Sequence, residues 1–132
     1  MNKLFTILIT LILISIINNG CSDPVDIISP THYARVPRPV NLTAVADTTV
    51  TGKDLVTLNW GVNSTDNIRN YEVYRAANRK QGFASLIVTA EMAFADSLFG
   101  ASDTLAYYYI SPNGIDRFVG QNSDTIQVTL LH

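Results

Sequence analysis

Val56-Thr57-Leu58-Asn59-Trp60, followed eleven residues after its tryptophan by Tyr71-Glu72-Val73-Tyr74-Arg75, decides how this chain folds. In both runs apolar side chains stand at every second position with polar ones between, a spacing that sorts them onto the two faces of an extended strand. Trp60 falls on the inward row of the first run, and Tyr71 and Val73 share a face of the second, so all three are expected in a core. The same period of two continues on either side. Val40, Leu42 and Ala44 alternate with Asn41 and Thr43, and Thr51-Gly52-Lys53-Asp54 turns the chain before Val56. The polar loop Asn63-Ser64-Thr65-Asp66-Asn67 separates the two deciding runs, and Asn78 to Gly82 turns the chain again. Then come Phe83 to Thr89 with an apolar centre at Leu86-Ile87-Val88, a weaker run at Phe94 to Leu98, and Leu105 to Ile110 with three consecutive tyrosines. The last run is Thr125 to Leu131, with Ile126, Val128 and Leu130 inward. Seven short strands with no helical period predict an all-β, two-sheet sandwich of about 100 residues.

From Val36 to Leu131 these residues resemble the fibronectin type III domain, an immunoglobulin-like seven-stranded β-sandwich. Pro37-Arg38-Pro39-Val40-Asn41-Leu42 is similar to its first strand, Val56 to Trp60 to its Trp-bearing second, and Tyr71 to Arg75 to its third. Asp96-Ser97 followed by the tyrosine strand extends the likeness. That strand departs from the family pattern, and two registers compete. One points Tyr107, Tyr109 and Ser111 inward; the other points Ala106, Tyr108, Ile110 and Pro112 inward and buries more apolar surface. In the second, the resemblance implies that Tyr108 is the corner tyrosine.

Upstream, Met1-Asn2-Lys3 is followed by an apolar run from Leu4 to Ile17, broken only by Thr6, Thr10 and Ser15, and then by Asn18-Asn19-Gly20-Cys21. A cation, about fourteen largely apolar residues and a small residue before a cleavage point make a secretory signal, too short for the roughly 20 residues of a spanning helix. The chain has one cysteine, so no intramolecular disulfide forms. Cys21 resembles the lipobox cysteine of bacterial lipoproteins, although Asn18 stands where that family usually carries leucine. The resemblance implies a diacylglyceryl group on the Cys21 thiol, removal of residues 1–20, and anchoring by more than one acyl chain. Ser22, in place of the aspartate that retains such proteins on the inner membrane, points to the outer membrane. Residues 21–35, with Pro24 and Pro30 among them, read as an extended tether in which His32 and Tyr33 are solvated. Residues 36–132 are the domain.

Nothing in the composition suggests catalysis. General-base chemistry usually needs a positioned histidine, and of the two present His32 lies in the tether and His132 ends the chain. There is no metal-ligand spacing, and no cofactor is expected. Asp96, Asp103, Asp116 and Asp124 read as turn and capping residues. With nine basic against eleven acidic side chains the formal charge is −2 and no basic block occurs, which argues against nucleic acid or anionic lipid as an electrostatic partner.

Binding remains. Tyr74, Phe83, Phe99, Tyr107 and Phe118 could stack on sugars or anchor a protein. The connection Asn113 to Asn122 is long for a hairpin and carries Arg117-Phe118, residue types enriched at binding hot spots. Arg117 and Phe118 are therefore the expected partner-binding residues. The expectation is a lipid-anchored, non-enzymatic interaction module for an envelope protein or glycan, with a structural spacer subunit or a carbohydrate-binding accessory domain as alternatives.

Overall fold

A computed structural model describes residues 35–131. The signal segment, Cys21, His32, Tyr33 and His132 lie outside the described residues. Seven strands follow in order: β1 (Val40–Thr48), β2 (Asp54–Gly61), β3 (Ile68–Ala77), β4 (Ala84–Thr89), β5 (Ala93–Asp96), β6 (Leu105–Gly114) and β7 (Ile126–Thr129). They form two antiparallel sheets, β1-β2-β5 and β4-β3-β6-β7.

The alternation read in the sequence builds the space between the sheets. β2, central in its sheet, buries Val56, Leu58 and Trp60. Facing it are Tyr71 and Val73 of β3, Ala106, Tyr108 and Ile110 of β6, and Val128 and Leu130 at the last strand. Trp60 meets Tyr71 edge to face, with centroids 5.7 Å apart and planes at 74°, the offset geometry that aromatic quadrupoles prefer. Of the two registers for β6, the one with Tyr108 inward is the one adopted: Tyr108 is wholly buried while Tyr107 and Tyr109 are only partly so. Pairing on both edges, with β3 and β7, gives β6 a buried inner face that takes one large ring in the middle of the core.

Some boundaries differ from the sequence reading. β5 ends at Asp96, because the Asp96 carboxylate takes the Leu98 N–H at 3.1 Å and turns the chain out of the sheet. Its other end starts earlier, at Ala93, which pairs with Asn59. The last strand is shorter than Thr125 to Leu131, since Leu130 N–H donates to Thr104 rather than to β6. The connection after β6 is long, as expected, but it spans 115–125 rather than 113–122, and its opening is a tight turn. β6 runs on to Gly114, and Gly114 and Phe118 close a tight turn through Gly114 N to Phe118 O (2.7 Å) and Arg117 N to Gly114 O (3.0 Å), with Asn113 bridging to Val119. Arg117 takes the left-handed position of this turn, φ +69°, a conformation that costs a non-glycine residue roughly 1–2 kcal/mol.

The sandwich has two distinct ends. The upper end carries the β2–β3 loop, the β6–β7 turn and the point where the chain comes in. Val36 is 1% exposed there. A Cβ on Gly120 would stand 2.9 Å from Val36 and from Pro112, and one on Gly114 would stand 2.9 Å from Val36 and 2.5 Å from Asp116. Two bare glycines thus make the seat for Val36, and the Asn67 amide holds the preceding Arg35 carbonyl at 3.2 Å. Gly120→Ala is expected to destabilise the domain by about 1–3 kcal/mol through overpacking. Combining it with Val36→Ala should recover part of that loss in urea denaturation, since the two side chains compete for one space.

Candidate functional site

Four features qualify as sites, and each is built from a different consequence of the fold. The first is a buried polar cluster. Arg75 lies on the inward row of β3 with Tyr71 and Val73, so the period of two carries a guanidinium into the core. There Arg75 Nη1 donates to Asp96 Oδ2 at 2.7 Å and to the Leu98 carbonyl at 2.6 Å, and its guanidinium carbon lies 5.0 Å from the Phe99 ring centroid. The Tyr108 hydroxyl donates to the same Asp96 oxygen at 2.8 Å. Asp96, 2% exposed, therefore accepts from Arg75, Tyr108 and the Leu98 N–H. β5 belongs to one sheet while β3 and β6 belong to the other, so the cluster pins the two layers together. An enclosed carboxylate with its oxygens taken by fixed donors has structural work to do. The sequence reading took Asp96 for a turn residue and gave Arg75 no role. The signal that could have found them was an arginine in phase with Tyr71 and Val73, which must bring a buried partner.

The corner tyrosine is Tyr108, but its hydroxyl reaches a carboxylate twelve residues upstream. Burial first, and then the Asp96 charge, push its phenol far above the ordinary range. A folded-state value above the unfolded one means that this contribution to stability is complete below pH about 10 and is lost as pH rises toward the folded value. Tyrosinate absorbance should therefore rise in two steps on alkaline titration. The last step should coincide with the unfolding change in Trp60 fluorescence and disappear in Tyr108→Phe; a smooth titration of all tyrosines before unfolding would contradict the assignment.

The second feature is an open cleft of about 410 Å³ at the lower end, between the β1–β2 turn and the β5–β6 loop, lined by Lys53, Asp54, Leu98 and Phe99 with Gly52 and Gly100. Leu98 is 77% exposed at its rim, and Val50 on the β1–β2 turn is fully exposed. Asp54 Oδ1 accepts the Leu131 N–H at 2.7 Å, which ties the chain end beside the cleft.

The third feature is the β6–β7 turn expected to bind partners. Arg117 and Phe118 are adjacent at its tip, both exposed, with Ile115 and Val119 exposed beside them. The Asp116 carboxylate folds back onto Phe118 N–H at 3.2 Å, and Ile115 N–H donates to the Asn67 carbonyl, which fastens the turn to the β2–β3 loop.

The fourth is the outer face of the four-stranded sheet. Tyr74 and Tyr109, opposite each other in the β3–β6 register, stack at 4.7 Å and 11°, and Phe83 tilts against Tyr109 at 4.9 Å. Burial raises both phenols, helped by the Glu72 charge, and the Glu72 carboxylate also accepts the Ser85 hydroxyl. Of the five aromatics singled out in the sequence, Tyr74 and Phe83 come together here through Tyr109. Phe99 joins the Arg75 cluster below, and Phe118 lies at the upper end.

With this architecture the chain has a fibronectin type III fold, an immunoglobulin-like β-sandwich. Among solved structures it is similar to a Fn3-like protein from Clostridium thermocellum (18% identity, TM-score 0.55), covering 71% of this chain and 92% of that one. It is also similar to titin domains A168–A170 (19% identity, TM-score 0.57, 71% of this chain and 32% of that). A third likeness is to a β-1,2-glucanase from Parabacteroides distasonis (18%, TM-score 0.53, 75% of this chain), where the match spans 14% of the enzyme. No protein-family profile and no curated protein sequence matches the chain.

Proposed function

We propose that the protein is a non-enzymatic interaction module of the bacterial cell envelope, held on the outer membrane by acyl chains on Cys21 and presenting the lower end of its sandwich to a protein partner. The observation that carries this reading is the opposition of the two ends. The chain comes in at the upper end, locked by Val36 between Gly114 and Gly120. The lower end, farthest from any N-terminal anchor, carries the open cleft with Leu98 and Val50 exposed around it. Exposed apolar side chains rimming a concave surface are the ordinary makings of a protein-binding patch. Confinement to a membrane surface raises the effective concentration of such a module for neighbours in the same layer.

A glycan ligand is less well served. Sugar binding calls for ring faces open to solvent, whereas Tyr74, Tyr109 and Phe83 turn theirs on one another. Membership of a polysaccharide-degrading enzyme, as in the glucanase that contains a similar domain, supports an accessory role in general and no particular sugar.

Two measurements test the reading. Intact-mass analysis of the N-terminal peptide should show acyl groups that Cys21→Ser abolishes. A photo-crosslinking side chain at Leu98 or at Val50 should give the same discrete adduct in intact cells, and one at Thr65, exposed in the β2–β3 loop at the upper end, should not. Adducts of equal yield at all three positions would count against a binding surface at the lower end.

A further inference from the structure

The basic residues of this chain are dispersed in sequence, yet the fold brings three of them to the end where the chain comes in. Arg35 precedes buried Val36, Arg69 follows Ile68, which pairs with Gly114, and Arg117 forms the tip of the β6–β7 turn. All three are exposed, and among the described residues none of their side chains makes an ion pair or a hydrogen bond. The links Asn67 to Arg35 and Ile115 to Asn67 hold the three segments side by side. Between them project Ile115, 64% exposed, and Val119, 53% exposed. The carboxylates at this end are Asp66, Glu91, Asp116, which is folded onto Phe118 N–H, and Asp124, which is paired with Arg38.

We infer that this upper tip is a membrane-contact element, with Ile115 and Val119 entering the headgroup region and Arg35, Arg69 and Arg117 meeting anionic lipid headgroups. The inference rests on the anchored reading for its orientation. Thirteen residues separate Cys21 from Arg35, a reach of at most about 45 Å when extended. The segment they form joins the domain beside this tip, so the tip is the part of the domain that an N-terminal anchor holds nearest the bilayer. Apolar side chains ringed by arginines are what the bilayer interface accepts, about 5–10 Å deep.

The orientation is tested in the full acylated chain reconstituted in vesicles of phosphatidylethanolamine and phosphatidylglycerol. Ile115→Trp should shift its emission to the blue and lose intensity to brominated acyl chains, after subtraction of the Trp60 signal. Leu98→Trp, at the opposite end, should do neither. Quenching at Leu98→Trp alone, or at neither position, overturns the inference, the second also being what a tip docked on a protein would give. The charge component is tested without the anchor, in the mature span 21–132 carrying Cys21→Ser, which lacks both the acyl chains and the apolar run of residues 4–17. Its partitioning onto phosphatidylglycerol vesicles should fall about fivefold in Arg117→Gly, the worth of one arginine near an anionic surface, with no such fall on phosphatidylcholine. Glycine suits the left-handed backbone at this position, so that variant keeps the fold. Loss of acyl mass in the wild-type chain would defeat the anchored reading, while the vesicle partitioning of Cys21→Ser judges the tip independently.

Discussion

Arg75→Met is expected to remove about 3–5 kcal/mol of folding stability, because it strands a carboxylate in the interior. Asp96 is 2% exposed and lies between the sheets, and once Arg75 is gone only the Tyr108 hydroxyl and one backbone N–H remain to compensate its charge. Domains of this size have about 5–15 kcal/mol in total, so the variant should be close to unfolding. Taking the carboxylate away as well should reverse much of the damage. Arg75→Met with Asp96→Leu replaces a buried ion pair by apolar groups, a change that is often near neutral once both charges are gone. Adding Tyr108→Phe removes the hydroxyl left without a partner, worth about 1–3 kcal/mol. The second ion pair supplies the contrast. Arg38 and Asp124 also meet closely, at 2.6 Å, but Asp124 is 95% exposed, so Arg38→Met should cost about 1 kcal/mol or less. Urea denaturation of the five proteins decides the matter. Equal losses in Arg75→Met and Arg38→Met would show that the core cluster does not bind the sheets as described.

Trp60→Ala should be comparably damaging, about 3–5 kcal/mol, since it opens a cavity beneath Tyr71 in the centre of β2. Trp60→Phe should cost about 1.5 kcal/mol or less. The reason is specific to this site: among the described residues the buried indole Nε1 has no hydrogen-bond partner, so phenylalanine gives up volume and no bond, and removes an unsatisfied donor. A loss in Trp60→Phe as large as that in Trp60→Ala would mean that the indole N–H is partnered after all.

Much of the fold was legible because strand periodicity is a local property. Val56, Leu58 and Trp60 point one way whatever they meet, and Gly52, Asn78 and Gly82 interrupt the runs where left-handed turns are needed, at φ of +75°, +60° and +69°. Legibility failed where a side chain's meaning depends on a residue far along the chain. Asp96 looked like a turn residue because its partners, Arg75 and Tyr108, lie twenty-one residues before it and twelve after. The β6–β7 connection is long as read, but the tight turn that opens it was hidden, because the hydrogen bond that closes it joins Gly114 to Phe118 across the turn itself. Arg117 and Phe118 were found by residue type alone; their place at the end where Val36 is seated was not foreseeable.

Strand number, the inward rows and the single cysteine at residue 21 follow from the order of amino acids, since each rests on spacing within a few residues. The choice of Tyr108 over Tyr107 and Tyr109 for the core, the ion pair that joins the sheets, and the gathering of Arg35, Arg69 and Arg117 at one end were decided by tertiary structure. Composition had counted those arginines as dispersed and argued against an anionic surface. Antiparallel strands return the chain to the same end every second crossing, so residues thirty-four and forty-eight positions apart become neighbours, and basic side chains dispersed along the chain gather at one end.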